Sequence, residues 1–539
     1  MRRAHTVETV RRAEAELMAR LPEGTLMSRA AAGLATIAAR ILRDQTGAVY
    51  GARVLLLIGS GDNGGDALFA GARLARRGSR VEAALADPQR AHSAGLADLL
   101  AAGGRVVAVP DGTDAAYRPP SPDPASAKSP DAASDPPDSV LRAARNADLV
   151  IDGLVGIGGK GGLREPAAAF ARAAAASGTP VLAVDLPSGI DADTGEVNGE
   201  TVTADVTVTF GTYKPGLLVD PAAERAGVVE FVDIGLGTEP GGPGTGTGTG
   251  TGSGSGSGFL PEGAAVEALQ SADAAALLPP LAHETDKYGR GVAGIECGSA
   301  KYPGAARLCV GGALHSGAGA VRYSGPDSVA QAVLADYPEV MVGRARAQAW
   351  VVGCGLDRDA AAAERLRDVL ALDTPVLVDA DALALLAEQG PDVLRGRRHG
   401  VVLTPHAGEA AGLLHTDRGQ IEARRLDSVR RLADTYGATV LLKGTTTLVA
   451  QPGRETVRAN PTGTPALATA GSGDVLAGLV GGLLAAGLEP FDAASLGAFL
   501  HGLAGRRARS RRPDSAPAPI TAQDLLHALP GAWRALAAF

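Results

Sequence analysis

The sequence predicts an α/β protein of two domains, each with a mostly parallel sheet enclosed by helices. Its 539 residues exceed what one hydrophobic core normally organises. Short runs of Val, Leu and Ile alternate with Ala-rich helical stretches, a pattern typical of parallel strands covered on both faces. Residues 241–258, GGPGTGTGTGTGSGSGSG, cannot bury apolar surface and therefore predict a flexible linker between the domains.

The first domain is predicted at residues 1–240, with a Rossmann-like three-layer fold. It opens with a helix near residues 6–21. Its strands are predicted at residues 53–59, 81–86, 105–109, 148–152, 180–185, 206–210 and 228–232. Residues 111–139 are rich in Pro, Asp and Ser and lie between strand-like patterns, so we expect a disordered surface insertion there.

The second domain is predicted at residues 259–539 and repeats the α/β pattern without sequence similarity to the first. Its strands are predicted at residues 291–296, 349–353, 375–379, 400–403, 439–443 and 446–450. A long helical region is expected in the C-terminal third.

Composition excludes several classes of partner. A net charge of −8 argues against a nucleic-acid surface. The longest apolar run, residues 475–488, is too short to span a bilayer, and the N-terminus is too polar for a secretory signal. Three cysteines without metal-ligand spacing suggest a reducing compartment and no structural zinc. We expect a cytoplasmic homo-oligomer that acts on small molecules.

Lysine is rare in this chain, supplying six of the 51 basic residues. Where arginine has so largely replaced lysine, a remaining lysine is less often arbitrary surface charge. Five of the six lie beside Gly-rich turns: Lys160, Lys214, Lys287, Lys301 and Lys443.

Three predicted strands of the first domain end in polar clusters. The first runs into GSGDNGGD (residues 59–66) and then a helix, where glycines and a helix N-terminus suit an anion. Asp152 and Asp185 end the other two strands. Taken singly, each acid could be a solvated turn residue, but a parallel sheet brings strand ends to one rim, where ligands bind. Oxygens of Asn63, Asp152 and Ser188 suit a hard cation, and Asp185 could act as a general acid or base.

The motifs GSGDNGGDA, DGLVGIG, VDLPSGIDADTG and TFGTYKPG together resemble the NAD(P)H-hydrate epimerase family. The resemblance implies epimerisation at C6 of the hydrated nicotinamide ring, NADHX or NADPHX, with a bound K⁺. It implies that Asn63, Asp152 and Ser188 hold K⁺ and that Asp185 is catalytic and contacts the substrate. The other substrate-binding residues that it implies are Asp62, Asn63, Gly64, Gly65, Asp66, Gly156, Ile157, Gly158, Gly159, Lys160, Gly161 and Gly162.

The strongest signal in the second domain is ATAGSGDVLAG (residues 468–478), a glycine turn that opens an apolar helix. Backbone amides there would stabilise developing phosphoryl charge, and Asp474 could take a proton from an attacking hydroxyl. The structural alternative is that Asp474 only caps a buried helix.

Three further segments end strands of the second domain with polar residues. Lys443 precedes a hydroxyl-rich turn suited to phosphates, although an edge hairpin is the structural alternative. His406 follows a strand in TPHAGE, and Asp379 and Asp381 end another strand in VDADAL.

These motifs resemble the nucleotide-dependent NAD(P)H-hydrate dehydratases, relatives of ribokinase-type kinases. The resemblance implies a ribokinase-like fold, with Asp474 as the catalytic residue and the hydrate bound by Ala305, Gly355, His406 and Asp474. It implies that Lys443, Gly444, Thr445, Thr446, Thr447 and Gly473 bind the nucleotide. Glu296, in the first strand, has no role in this interpretation.

The two resemblances together imply a bifunctional repair enzyme. The second domain would phosphorylate the C6 hydroxyl of (S)-NAD(P)HX with Mg²⁺ as counter-ion and then expel phosphate. ADP is expected as co-substrate, because bacterial relatives use it and the Arg-, Ala- and Gly-rich composition fits a GC-rich bacterial genome. Two alternatives stay open: a small-molecule kinase whose product keeps the phosphate, and a first domain that only binds a ligand.

Overall fold

The structure is a computed structural model that describes residues 1–108, 137–237, 258–280, 286–510 and 516–539. Most of the expected insertion (residues 111–136) and most of the expected linker (241–257) lie outside the described residues. The chain forms two compact units. The N-terminal unit comprises Ala4–Leu217 and Pro221–Glu262, and the C-terminal unit comprises Met1–Arg3, Leu218–Asp220 and Gly263–Phe539.

The N-terminal unit contains a seven-stranded sheet in the order β4-β3-β2-β5-β6-β7-β8. The strands are β2 (Arg53–Ile58), β3 (Arg80–Leu85), β4 (Arg105–Ala108), β5 (Leu149–Gly153), β6 (Val181–Val184), β7 (Val206–Phe210) and β8 (Val228–Val232). All neighbouring strands pair in parallel. The chain fills one side of β2 before crossing to β5, so the junction of β2 and β5 is the switch point where ligands bind in such sheets.

Helices cover both faces of this sheet. They are α1 (Val7–Met18), α2 (Thr25–Thr46), α3 (Asp62–Arg76), α4 (Ser93–Ala101), α5 (Asp138–Asn146) and α6 (Ala167–Ser177). Alternate residues of β2 point to opposite faces: Leu56 packs in a core with α2 and α3, and Leu57 in a second core with α5 and α6. The predicted three-layer α/β arrangement is confirmed.

The C-terminal unit contains a sheet in the order β1-β9-β18-β17-β16-β15-β14-β13-β10-β11-β12. The strands are β1 (Arg2–Ala4), β9 (Val266–Ala268), β10 (Val292–Glu296), β11 (Ala320–Tyr323), β12 (Met341–Val342), β13 (Ala349–Val352), β14 (Val376–Val378), β15 (Val401–Leu403), β16 (Thr439–Leu442), β17 (Thr447–Ala450) and β18 (Val457–Asn460). Most pairs are parallel, but β17 is antiparallel to both β16 and β18. The switch point lies between β10 and β13.

The helices of the C-terminal unit are α7 (Ser271–Ala276), α8 (Pro303–Leu314), α9 (Asp327–Asp336), α10 (Ala360–Leu370), α11 (Asp381–Gln389), α12 (Ala407–Leu413), α13 (Arg418–Ala423), α14 (Arg425–Tyr436), α15 (Ser472–Ala485), α16 (Pro490–Arg509) and α17 (Ala522–Ala537). α8 and α15 pack closely because each turns a glycine to the other: Gly312 lies against the backbone of Val475, and Gly478 against that of Cys309. Within the described ranges, no helix has the length and apolar character needed to cross a membrane.

Candidate active sites

A cavity of about 900 Å³ opens beside the start of α3 in the N-terminal unit. Its wall includes Asp62, Asn63, Asp66 and Asp185, four of the predicted substrate-binding residues. It also includes Glu14 of α1, which the sequence analysis did not single out. Such a concave space with convergent polar groups is the usual form of a small-molecule site.

Asp185 is fixed at this wall by a buried lysine. It follows β6 with a φ of 65°, a conformation that side-chain-bearing residues rarely adopt. Its Oδ1 accepts a hydrogen bond from the ammonium of Lys214, another from Thr209 Oγ1 at 3.1 Å, and a third from the Phe210 N–H at 3.1 Å. Lys214 is itself fully buried. The carboxylate is therefore held in one orientation against the cavity.

Two neighbouring carboxyl groups have raised pKa values. Burial, reinforced by the charges of Asp185 and Asp62, raises the pKa of Asp66 well above its usual range. Asp66 Oδ1 is buried and has no hydrogen-bond partner among the described residues. Burial also raises the pKa of Glu14, although Lys214 opposes that shift. The cavity thus places two carboxyl groups of raised pKa beside a carboxyl group that is paired with a lysine.

The three predicted K⁺ ligands surround the segment that follows β5. Ser188 Oγ donates to Asp152 Oδ1 at 2.7 Å, and the Ser188 N–H donates to Asp152 Oδ2 at 2.8 Å. Asn63 Nδ2 donates to the Val184 carbonyl at 2.6 Å, and Asn63 Oδ1 lies against Gly156. Burial raises the pKa of Asp152 to about 6, so a nearby cation would stabilise its charged form. These oxygen donors fit a hard cation.

The predicted substrate-binding glycines of the N-terminal unit differ in what surrounds them. A side chain at Gly156 would overlap Asn63, and one at Gly64 would overlap the carbonyl of Gly59. Gly65 packs against Met27 and His92. Residues 156–162 are not among those that line the cavity in the described part of the chain, and Lys160 is exposed.

In the C-terminal unit, α15 begins at a rigid turn. Gly471 has a φ of 85°, and Ser472 Oγ donates to the Leu467 carbonyl at 2.6 Å. His501 Nε2 lies 2.9 Å from the Ser472 carbonyl, and burial lowers the pKa of His501 to about 4. A neutral His501 therefore donates to that carbonyl at pH 7. Because the first N–H groups of a helix lack partners within it, this fixed terminus suits an anion.

Asp474, in the first turn of α15, lies beside a charged network. Burial, then the charge of Asp379, raises the pKa of Asp474 to about 7. Asp379 Oδ1 accepts hydrogen bonds from Lys443 Nζ and Thr404 Oγ1, both at 2.8 Å. Burial opposes the charge of Lys443, but Asp379 and Glu409 outweigh it and raise the pKa of Lys443. The site pairs a base titrating near neutrality with a permanent cation.

Lys443 and Gly473, both predicted to bind nucleotide, are brought together. A Cβ on Gly473 would stand 3.6 Å from Lys443 Nζ. Lys443 begins the hairpin turn between β16 and β17, but these strands lie inside the sheet rather than at its edge. The N–H and the Oγ1 of Thr446 donate hydrogen bonds to the Asp220 carboxylate at 2.7 and 3.2 Å. Thr447 Oγ1 donates to the Gly444 carbonyl at 3.4 Å.

Two predicted hydrate-binding residues touch each other. Gly355 has a φ of 60°, and a side chain there would overlap Ala305 and Tyr302. His406 is the cap of α12, where its Nδ1 accepts the N–H groups of Gly408 and Glu409 at 2.9 and 3.1 Å. His406 thus has a structural role beside its predicted one, and its Nε2 lies 3.5 Å from Glu409 Oε1.

Glu296 now has a structural explanation. Its buried carboxylate accepts a hydrogen bond from Arg365 Nε at 2.8 Å and another from Arg344 Nη2 at 3.3 Å. Two residues at these candidate sites, Glu14 and His501, were not predicted from the sequence. Glu14 could have been found from the sequence as an acid on the inner face of α1. No sequence signal marks His501.

Comparisons with known proteins match both units. Residues 293–529 match the family described as "NAD(P)H-hydrate dehydratase", and residues 23–216 match the "YjeF-related protein N-terminus" family. The chain is 45% identical over 506 residues to the bifunctional NAD(P)H-hydrate repair enzyme Nnr of Mycobacterium leprae, covering 93% of each chain. It is 42% identical over 236 residues to the ADP-dependent (S)-NAD(P)H-hydrate dehydratase of Neisseria meningitidis, covering 41% of this chain and 79% of that protein.

A solved structure is also similar, that of the ADP/ATP-dependent NAD(P)H-hydrate dehydratase of Bacillus subtilis. It is 28% identical, with a TM-score of 0.45, and the match covers 50% of this chain and 97% of that one. The relative from Mycobacterium leprae matches nearly the whole length of this chain and spans both units. The chain therefore belongs to the family of bifunctional NAD(P)H-hydrate repair enzymes.

Proposed function

We propose that this chain repairs hydrated nicotinamide cofactors. The N-terminal unit would interconvert R and S NAD(P)HX, and the C-terminal unit would convert (S)-NAD(P)HX and ADP into NAD(P)H, AMP and phosphate. The observation that carries the proposal is Asp474, whose pKa is raised to about 7 at the N-terminus of α15, beside Lys443. The family membership supports both halves.

For the dehydratase, hydroxide is a poor leaving group and must first be made a phosphate ester. Asp474 would take the proton of the C6 hydroxyl as that oxygen attacks the terminal phosphorus of ADP. Lys443 and the amides at the start of α15 would stabilise the phosphoryl oxygens. The C6–O bond then breaks as the ring nitrogen donates electrons, and C5 loses a proton to restore the double bond.

Mg²⁺ bound to the nucleotide phosphates would neutralise part of their charge. Oxygens of Asp379 and Asp474 lie within 4.8 Å of each other, and carboxylates are the ligands that Mg²⁺ prefers. Ala305, Gly355 and His406 would contact the hydrate, and the turn at residues 443–447 would contact the nucleotide. A ribokinase-like fold for the C-terminal unit belongs to the same proposal.

For the epimerase, Asp185 would contact the hydrated ring inside the 900 Å³ cavity. Asp66 and Glu14 are the candidate proton donors to the departing C6 oxygen, because both line the cavity and burial raises the pKa of each. K⁺ held by Asn63, Asp152 and Ser188 would supply positive charge close to the substrate. The loop at residues 156–162 would line the substrate once it is bound.

The proposal includes finer assignments. The epimerase domain would occupy residues 1–240, the linker 241–258 and the dehydratase domain 259–539. The enzyme would prefer ADP to ATP and work in the cytoplasm as a homo-oligomer. No nucleic-acid or membrane partner is proposed.

The experiment that tests the function supplies the purified chain with mixed R and S hydrate and ADP, then ATP. We expect the absorbance of reduced nicotinamide to recover completely with ADP. Asp474→Ala should stop this recovery while R and S still interconvert, and Asp185→Ala should leave the R form unconsumed. A stable phosphorylated alcohol instead of NAD(P)H would show a kinase.

A further inference from the structure

All three cysteines of the chain converge at one point in the C-terminal unit. Cys297 follows β10, Cys309 lies in α8, and Cys354 follows β13, so they meet at the switch point of the sheet. Their Sγ atoms lie within 4.8 Å of one another, and all three side chains are buried and free of disulfides. Their wide spacing along the sequence concealed this arrangement.

The distance between the sulfurs matches ligands on one metal ion. A tetrahedral ion with metal–sulfur bonds of about 2.3 Å holds its sulfurs about 3.8 Å apart. The Sγ atoms of Cys297 and Cys309 are 3.9 Å apart. A disulfide would use two of these thiols and leave the third unused, whereas a metal ion uses all three.

Positive charge is already placed beside the cluster. Arg365 Nε donates to Glu296, and its Nη1 donates to the Gly298 carbonyl at 3.1 Å. The guanidinium is therefore hydrogen-bonded to the residues on either side of Cys297. Arg365 Nη2 is buried and has no hydrogen-bond partner among the described residues. An anionic thiolate centre would be stabilised by this unsatisfied donor.

The cluster also adjoins the proposed base. Cys354 belongs to a second group, in which its Sγ and carboxylate oxygens of Asp379 and Asp474 lie within 4.8 Å of one another. Asp379 is engaged by Lys443, so Asp474 is the carboxylate freer to approach an ion on the sulfurs. A carboxylate bound to a metal ion can no longer accept a proton.

We propose that Cys297, Cys309 and Cys354 bind one thiophilic divalent ion, of the Zn²⁺ class, and that the bound ion stops the dehydratase by recruiting Asp474. Three thiols lose their protons as three metal–sulfur bonds form, so a divalent ion leaves a centre of charge −1. Mg²⁺ prefers oxygen ligands and does not compete for the sulfurs. The inhibition rests on the proposed dehydratase activity, but the metal site does not.

The test titrates the reduced full-length chain with Zn²⁺ and with Cd²⁺ in the presence of Mg²⁺. We expect one ion per chain, proton release, and ultraviolet absorption from Cd²⁺–thiolate bonds. Cys297→Ala and Cys309→Ala should each weaken binding at least tenfold, in line with the loss of a ligand. Thermal unfolding without metal, together with Cys309→Ser, separates lost ligation from lost packing.

Activity in the same samples tests the inhibition. One equivalent of Zn²⁺ should reduce the dehydratase rate at least tenfold and leave the epimerase rate unchanged, and Cys309→Ala should be insensitive. Absence of stoichiometric binding, or binding that survives all three cysteine substitutions, overturns the site. Binding with an unchanged dehydratase rate overturns the inhibition. A chain without dehydratase activity before metal is added contradicts the proposed function, while the titration still decides the metal site.

Discussion

Lys443 Nζ donates to Asp379 Oδ1 across 2.8 Å, and carboxylate oxygens of Asp379 and Asp474 lie within 4.8 Å of each other. Asp379 is almost fully buried, and its other oxygen, Oδ2, lies 3.7 Å from Cys354 Sγ. Lys443 is thus the only cation in the described hydrogen bonds to this carboxylate. The ion pair with Asp379 holds Lys443, the residue that we assign to the nucleotide phosphates, in place. Nucleotide binding and the stability of the folded chain therefore depend on the same ion pair.

Removing the lysine should therefore cost stability as well as activity. Lys443→Met leaves a buried carboxylate without its cation, which typically destabilises a protein by about 3 kcal/mol or more. The double variant Lys443→Met/Asp379→Asn removes both charges and should recover part of the free energy of unfolding but none of the dehydratase activity. Urea unfolding and ADP titration measure the two effects. Equal stability of the single and double variants would contradict the coupling.

The pH dependence of the dehydratase should report Asp474. Its pKa is raised to about 7, chiefly by burial, and only the ionised form can take a proton. We expect kcat/KM to rise tenfold per pH unit up to about pH 7 and then level off. The rate of epimerisation by the same chain is the internal control. A dehydratase profile that is flat from about pH 6 to about pH 8, one unit on either side of this pKa, would remove Asp474 as the base.

Asp474 should also lower the stability of the enzyme above neutral pH. Its pKa is about 7 in the folded chain and about 4 in an unfolded one. Between these two pH values the folded state therefore holds a proton that the unfolded state has lost. Both states are protonated below pH 4. The penalty grows between pH 4 and 7 and is constant above. Asp474→Asn should therefore be more stable by about 2 kcal/mol at pH 8, with partial exposure limiting the gain, and no different near pH 4.

The sequence predicted strands rich in Val, Leu, Ile and Phe well. Val206–Phe210 and the edge strand Val228–Val232 match the prediction residue for residue, and β10 and β13 differ by one residue at an end. The missed strands β1, β9, β11, β12 and β18 are short or polar. In β18, for example, Arg458 is buried against Phe491, which lies 4.5 Å away, and a charged residue obscures the strand pattern.

Sequence motifs identified groups that lie beside their own glycine turns, such as Asp474 and Lys443. They could not identify residues that arrive from distant elements. Glu14 reaches the cavity of the N-terminal unit from α1, and His501 reaches the start of α15 from α16. The meeting of three cysteines depends on strand order, which no local pattern specifies.

Gly156 should be essential because Asn63 occupies the space of a side chain there. A Cβ at this position would overlap the Asn63 amide, which must then release its 2.6 Å hydrogen bond to Val184. Gly156→Ala should therefore lower epimerase activity at least tenfold and raise the K⁺ concentration needed for half-maximal rate. Gly61→Ala is the control, since a Cβ there meets no atom within 4 Å. Equal K⁺ dependence in both variants would contradict the assignment of Asn63 as a ligand.

The last test concerns Glu14, which lies in none of the sequence motifs. Only its position in the structure suggests a role in epimerisation. Burial raises its pKa, and it lines the cavity with Asp66 and Asp185. If Glu14 supplies a proton to the leaving oxygen, Glu14→Gln keeps the shape of the side chain but has no carboxyl proton to transfer, so epimerase kcat should fall about 10²-fold or more. The matched control is Glu16→Gln on the same helix, whose side chain is exposed. Dehydratase activity should be unchanged in both variants, and an unchanged epimerase kcat in Glu14→Gln would leave Asp66 as the proton donor.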